Sequence, residues 1–145
     1  MGAGIVIGIL TIGIWMIVLS GYDLRERRLP NWLTLPGAAV IVTVAHIDGR
    51  GTAAVLGAGA LFGCYLLVHL LNPKAMGGGD VKLALGLGAL TGMFGVDVWV
   101  LGSVGAPVLT AGYAVVALLC RRGKTVPHGP SMCLSSAAAV ALAVV

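Results

Sequence analysis

Six apolar runs separated by short polar breaks set what this chain can fold into. The runs are Gly2–Tyr22, Leu33–Ile47, Thr52–Leu71, Leu83–Phe94 with its flanks, Val98–Leu119 and Gly129–Val145. A bilayer span takes about 20 residues, and the first run supplies them without interruption. Its positive charges follow it rather than precede it, so it reads as a first transmembrane helix and not as a secretory signal peptide. The chain is 59% hydrophobic and 10% charged, against about 25% charged in an average soluble domain. A soluble chain this small could not hide so much apolar surface, since small domains bury only about 70% of what they expose unfolded. The expectation is an all-α, polytopic membrane protein of about six transmembrane helices. It forms one membrane-embedded domain over residues 1–145.

The second run is short for a span and carries Pro36 near its start. The fourth is the weakest, because Gly86, Gly88 and Gly92 dilute it. Gly88 and Gly92 form a small-xxx-small pair suited to close helix packing, as do Gly4 and Gly8 in the first run.

Charge fixes the expected orientation. The first, third and fifth breaks hold Arg25, Arg27, Arg28, Lys74, Lys82, Arg121, Arg122 and Lys124, eight of the nine basic residues; Arg50 is the ninth. The positive-inside rule puts these breaks in the cytoplasm and, with six spans, both termini outside. The formal charge of +4 therefore reads as orientation and contact with membrane lipid, not nucleic-acid binding. Cys64, Cys120 and Cys133 are dispersed, with no CxxC or zinc-like spacing, and read as small packing residues. His46 and His69 read as structural, and no metal or other cofactor is expected.

The same topology separates the five acidic residues. Asp48 and Asp97 fall on the outer side, and Glu26 sits among three arginines. Asp23 closes the first helix and Asp80 opens the fourth, both at the cytoplasmic end. Two carboxyls at one depth can share a proton, because like charges at short range do not both ionise easily. One then polarises a carbonyl while the other activates water, which is peptide hydrolysis without a metal or a nucleophilic side chain. The bland alternative is a pair of interfacial aspartates serving helix ends, with Asp80 capping the fourth helix. The sequence alone does not assign the resting proton; Asp80 at a helix start is the easier of the two to ionise, which tilts the proton towards Asp23. The three glycines ahead of Asp80 are either a flexible linker or a place where a substrate backbone approaches closely.

The segment Gly77-Gly78-Gly79-Asp80-Val81-Lys82-Leu83 resembles the GxGD-x-K-L motif of type IV prepilin peptidases, which are membrane aspartic proteases. Asp23-Leu24-Arg25-Glu26-Arg27-Arg28-Leu29-Pro30-Asn31 is similar to their Asp-x-x-x-Arg-x-Ile/Leu-Pro-Asn motif. Val126-Pro127-His128-Gly129-Pro130 resembles the Pro-Phe-Gly-Pro segment that opens the family's last helix, with His128 in the place of the aromatic. The resemblance covers essentially the whole chain. It implies that Asp23 and Asp80 are the catalytic pair. Gly77, Gly78, Gly79, Lys82, Arg27, Pro30 and Asn31 become supporting or substrate-binding residues. The implied substrates are pilin-like precursors with a short basic leader ahead of a hydrophobic helix, cut at the cytoplasmic face of the cell membrane, typically after a glycine. Arg27 and Lys82 could tune the acids, because a nearby cation favours a charged carboxylate. Larger members of the family carry an insertion with paired cysteines between the first two helices. Here Asn31 leads directly into the second apolar run, so the chain resembles the short stand-alone branch associated with tight-adherence or Flp-type pili. The competing class is a non-enzymatic small membrane protein, a transporter subunit or an assembly factor, using the same acids to bind an ion.

Overall fold

The computed structural model describes residues 3–123 and 126–145. They form six α-helices: α1 (Ala3–Glu26), α2 (Asn31–Ile47), α3 (Gly51–Leu71), α4 (Gly78–Met93), α5 (Val96–Leu119) and α6 (Gly129–Val144). Each apolar run has become one helix. Gly2, which opens the first run, and Lys124, one of the basic loop residues, lie outside the described residues. Three helical stretches are long and apolar enough to cross a membrane: Val6–Glu26, Gly51–Leu71 and Val96–Leu119. α2 and α6 are shorter apolar helices.

The outside of the bundle is apolar. Ile7, Ile14 and Ile17 of α1, Leu56 and Leu67 of α3, and Val104, Val108 and Leu118 of α5 are all exposed. In the most apolar window of α5 only 11% of the residues are buried. A chain in water would leave no such continuous apolar exterior, so these helices fit a lipid surround.

α4 is the inner helix. It packs against α2, α3, α5 and α6, most extensively against α3. Small residues make room for that packing: Gly86, Gly88, Ala89 and Gly92 are buried together with Leu83, Leu87 and Leu90. A Cβ on Gly88 would stand 2.5 Å from the carbonyl oxygen of Gly57, and one on Gly92 would stand 2.8 Å from that of Ala53. A Cβ on Gly57 would overlap the carbonyl oxygen of Gly88 in turn. The glycines that make α4 look weak as a lipid-facing span are thus what lets it lie against α3. Gly86 has a different neighbour. Its Cβ would meet the Trp15 indole at 2.9 Å, and Trp15 of α1 also fills the space beside Gly37 of α2. The Trp15 Nε1–H donates to the Leu33 carbonyl at 2.9 Å, which satisfies the indole's polar atom inside the bundle.

Two expectations about small residues need correction. Gly4 and Gly8 meet nothing within 4 Å, so they face away from the other helices rather than forming a packing pair. Cys64 and Cys120 are exposed, and only Cys133 is a buried packing residue among the three free cysteines.

The helix ends fall into two groups. Asp23 near the end of α1 bonds Gly129 at the start of α6, and Lys82 in α4 bonds Asn31 at the start of α2. Tyr65 in the C-terminal part of α3 reaches His128, just before α6. At the other end, Arg50 before α3 lies over the Phe94 ring after α4, 5.7 Å from its centroid. The basic breaks therefore share one end of the bundle, as the alternation of charge requires.

This packing predicts a sharp contrast between glycines. Gly88→Ala should destabilise the folded chain by about 1–3 kcal/mol, because its methyl meets backbone that cannot swing aside. Gly8→Ala should leave stability unchanged or slightly raised. Thermal unfolding of the two variants in detergent, followed by circular dichroism, checks the order.

Candidate active site

α1 does not stop with its apolar run at Tyr22 but continues one more turn to Glu26, which makes Asp23 part of the helix. The turn ends at Arg27, whose φ of 54° is left-handed. Its N–H still reaches the Asp23 carbonyl at 3.1 Å. A non-glycine residue in this conformation costs about 1–2 kcal/mol. In exchange the chain reverses at once, and Leu29, Pro30 and Asn31 return alongside the helix end. Pro30 is the N-cap of α2, with its extended backbone leading into the first turn.

The glycine triplet is not a flexible linker. Gly77 is the N-cap of α4, and Gly78 and Gly79 form the start of its first turn, so Asp80 sits in that turn as well. The absence of side chains matters most at Gly79, where a Cβ would stand 3.0 Å from the Leu29 Cβ. The two acid-bearing segments can lie against each other only because that position is bare. Lys82 strengthens the junction: its Nζ donates to Asn31 Oδ1 at 2.6 Å.

These segments enclose a cavity of about 260 Å³ lined by Asp23, Asp80, Arg27, Gly77, Gly78, Gly79 and Lys82, with Arg28 and Leu29. Seven of the nine residues singled out in the sequence are on its wall. The other two, Pro30 and Asn31, hold the wall in place as N-cap and hydrogen-bond partner. A liquid water occupies about 30 Å³, so the cavity has room for several waters or for a short stretch of extended peptide with one water.

Asp23 is buried. Its Oδ2 accepts the backbone N–H of Gly129 at 3.0 Å, across 106 residues of sequence. Gly129 has to be glycine for this: a Cβ there would be 2.7 Å from the same oxygen. Asp80 is half-buried and lies outside the apolar run that begins at Leu83. Its carboxyl is pushed up to about 7, first by burial and then by the charge of Asp23, while a backbone hydrogen bond from Gly77 pulls the other way. Asp80 therefore keeps a proton near neutrality. The sequence reading weighed only the start of α4. It missed the burial of that start, and it missed that Asp23 also faces a helix N-terminus, that of α6. Lys82 directs a hydrogen bond to Asn31.

Among the described residues no group of three or more His, Cys, Asp or Glu side chains is arranged to hold a metal ion. Ser135 is buried and shares its hydroxyl hydrogen between the Gly102 and Met132 carbonyls. Gly129 is the site residue that sequence reasoning did not single out. Its signal was its place between His128 and Pro130 in the third motif; its contact with Asp23 is visible only in three dimensions.

Comparison with known proteins agrees with this layout. The chain is 27% identical over 135 residues to a prepilin leader peptidase/N-methyltransferase of Xanthomonas campestris pv. campestris. The alignment takes in 88% of this chain and 47% of that protein, so the chain spans about half the length of the curated relative it matches. No solved structure matches it. The profile of the type IV leader peptidase family matches residues 10–120, which include both acids and the glycine triplet. The chain belongs to the type IV leader peptidase family.

Proposed function

We propose that the chain is an aspartic endopeptidase that removes the short basic leader from type IV pilin-like precursors, with Asp23 and Asp80 as its catalytic pair. The observation that carries this reading is that Asp23 and Asp80 line one cavity, on a chain of this family. Asp80, which keeps its proton near neutrality, hydrogen-bonds the scissile carbonyl and polarises it. Asp23 takes a proton from a water held between the two acids, and the water oxygen attacks the carbonyl carbon as Asp80 passes its proton to the carbonyl oxygen. The tetrahedral intermediate collapses as Asp23 passes that proton to the leaving amine and the oxygen returns its own to Asp80. Each acid ends in its starting state, ready for a second turnover.

The supporting residues have distinct tasks in this scheme. Gly77, Gly78 and Gly79 leave the wall bare for a substrate backbone to approach. Lys82 and Asn31 lock the first turns of α4 and α2 together. Pro30 starts α2, and the left-handed turn at Arg27 folds one motif back on the other. All six helices cross the cell membrane in this reading, with α4 shielded from lipid by its neighbours. The end that carries the basic breaks and both acids faces the cytoplasm, and both termini lie outside. The substrate's hydrophobic helix lies in the bilayer and delivers the leader junction to the cavity from the side. Residues 1–145 act as one domain, and the basic breaks contact anionic lipid.

Co-expression with a pilin-like precursor tests the pair. Asp23→Asn and Asp80→Asn should each lower the rate of leader removal at least about a hundredfold, the usual reach of a general acid or base, while the protein stays folded in the membrane. Cleavage that persists in either isosteric variant removes that acid from the mechanism, and a wild-type chain that cleaves no precursor favours the ion-binding alternative. The direction of the pH dependence also follows. Asp80 works protonated and its carboxyl is pushed up to about 7, so kcat/KM should fall as the pH rises through that value. A pH–rate profile on a peptide precursor checks it.

A further inference from the structure

One polar cluster at this end of the bundle has no part in the chemistry above. His128 precedes α6 and joins it to two other helices. Its Nε2 lies 3.0 Å from the Tyr65 hydroxyl of α3, and its Nδ1 lies 2.6 Å from Oγ1 of Thr110 on α5. The Tyr65 and His128 rings also pack with centroids 5.7 Å apart.

Counting hydrogens fixes the form of the ring. The Thr110 hydroxyl donates to the Ala106 carbonyl at 3.0 Å, so towards His128 it accepts. Nδ1 therefore carries the ring hydrogen. Nε2 is left as the acceptor of a neutral imidazole, and Tyr65 donates to it. The neutral Nδ1–H form satisfies all three side chains. A second proton on Nε2 would force the Tyr65 hydroxyl to turn away. Burial lowers the pKa of His128, and the charge of Asp23 opposes that shift without reversing it. The ionisable groups that bear on the cluster are Tyr65 itself on α3, Asp23 on α1 and, acting on Tyr65, Asp80 on α4 and Cys64 on α3.

The residue that follows His128 is Gly129, whose N–H is the donor to Asp23. Pro130 comes next and has no N–H to replace it. The direction of this one donor is thus set by how the start of α6 is held, and the His128 side chain ties that start to α3 and α5 by hydrogen bonds. We propose that His128 is a positioning residue for the acid pair: clamped between Tyr65 and Thr110, it keeps the Gly129 N–H aimed at Asp23. This rests on the aspartic-pair reading and extends it, because it gives Asp23 a support built from three helices that carry no acid of the pair.

The test uses the full chain in detergent with a peptide precursor, comparing wild type, His128→Ala, His128→Asn and Tyr65→Phe. His128→Ala should lower kcat at least about tenfold with KM within about twofold, the signature of a lost transition-state arrangement. His128→Asn retains an N–H near Thr110 and should recover kcat to within about threefold of wild type, with Tyr65→Phe between the two. Hydrogen exchange at the Gly129 amide should quicken at least about tenfold in His128→Ala. Wild-type kcat in His128→Ala, or a loss that tracks only the amount of folded protein with Gly129 exchange unchanged, overturns the proposal. If no form cleaves a precursor, the peptidase reading falls and the amide decides alone: faster exchange in His128→Ala supports the positioning role, and unchanged exchange overturns it.

Discussion

Two helices in lipid gain little by hiding apolar side chains from an equally apolar solvent, so their association depends on close packing. In this chain the closest packing is between α3 and α4, at Gly57, Gly88 and Gly92, where each helix meets the backbone of the other. The consequences run along α4. A helix held that tightly becomes the middle of the bundle, and its first turn is drawn in with it. Asp80 is carried on that turn. Its raised pKa comes mostly from burial of its own side chain, with the charge of Asp23 adding to it.

The partner acid is placed by different means. Asp23 belongs to the last turn of α1, a helix that touches the others sparingly and is anchored through Trp15. What directs its carboxyl is the first N–H of α6, at 3.0 Å. The two carboxyls are thus held by unlike surroundings, one in a desolvated helix start and the other under a backbone donor. Pairs of acids whose environments differ in this way are suited to opposite tasks, one giving a proton while the other takes one. The proposed division of labour between Asp80 and Asp23 follows from that difference.

Much of this was readable from residues. The apolar runs gave the helices nearly end for end, because an uninterrupted stretch near the length of a span has few other fates in lipid. The alternation of basic charge brought Asp23 and Asp80 to one end before any contact was known. The resemblance of two motifs to the prepilin peptidases matched the family to which the chain belongs. What was not readable depended on contacts between distant segments. Gly4 and Gly8 have the same spacing as Gly88 and Gly92, yet only the second pair meets a neighbour, and spacing cannot say which face of a helix is inward. Gly79 looked like a place for flexibility and is a place of contact with Leu29. The sequence showed the N-terminus of α4 beside Asp80 but not that of α6, 106 residues from Asp23, whose N–H meets its carboxyl. Nothing in the sequence joined Tyr65, Thr110 and His128.

The central claim is that Asp23 and Asp80 act as one unit, and the most direct measurement is the titration of Asp80 itself. Isotope-edited infrared spectroscopy of the full chain, with carboxyl-labelled aspartate and Asp80→Asn to identify its band, follows that proton. The account predicts that Asp80 stays protonated until the pH approaches about 7 and that Asp23→Asn, by removing the neighbouring charge, lowers the titration while burial keeps it above the ordinary carboxyl range. An Asp80 that titrates at the same pH with and without the Asp23 carboxylate would contradict it.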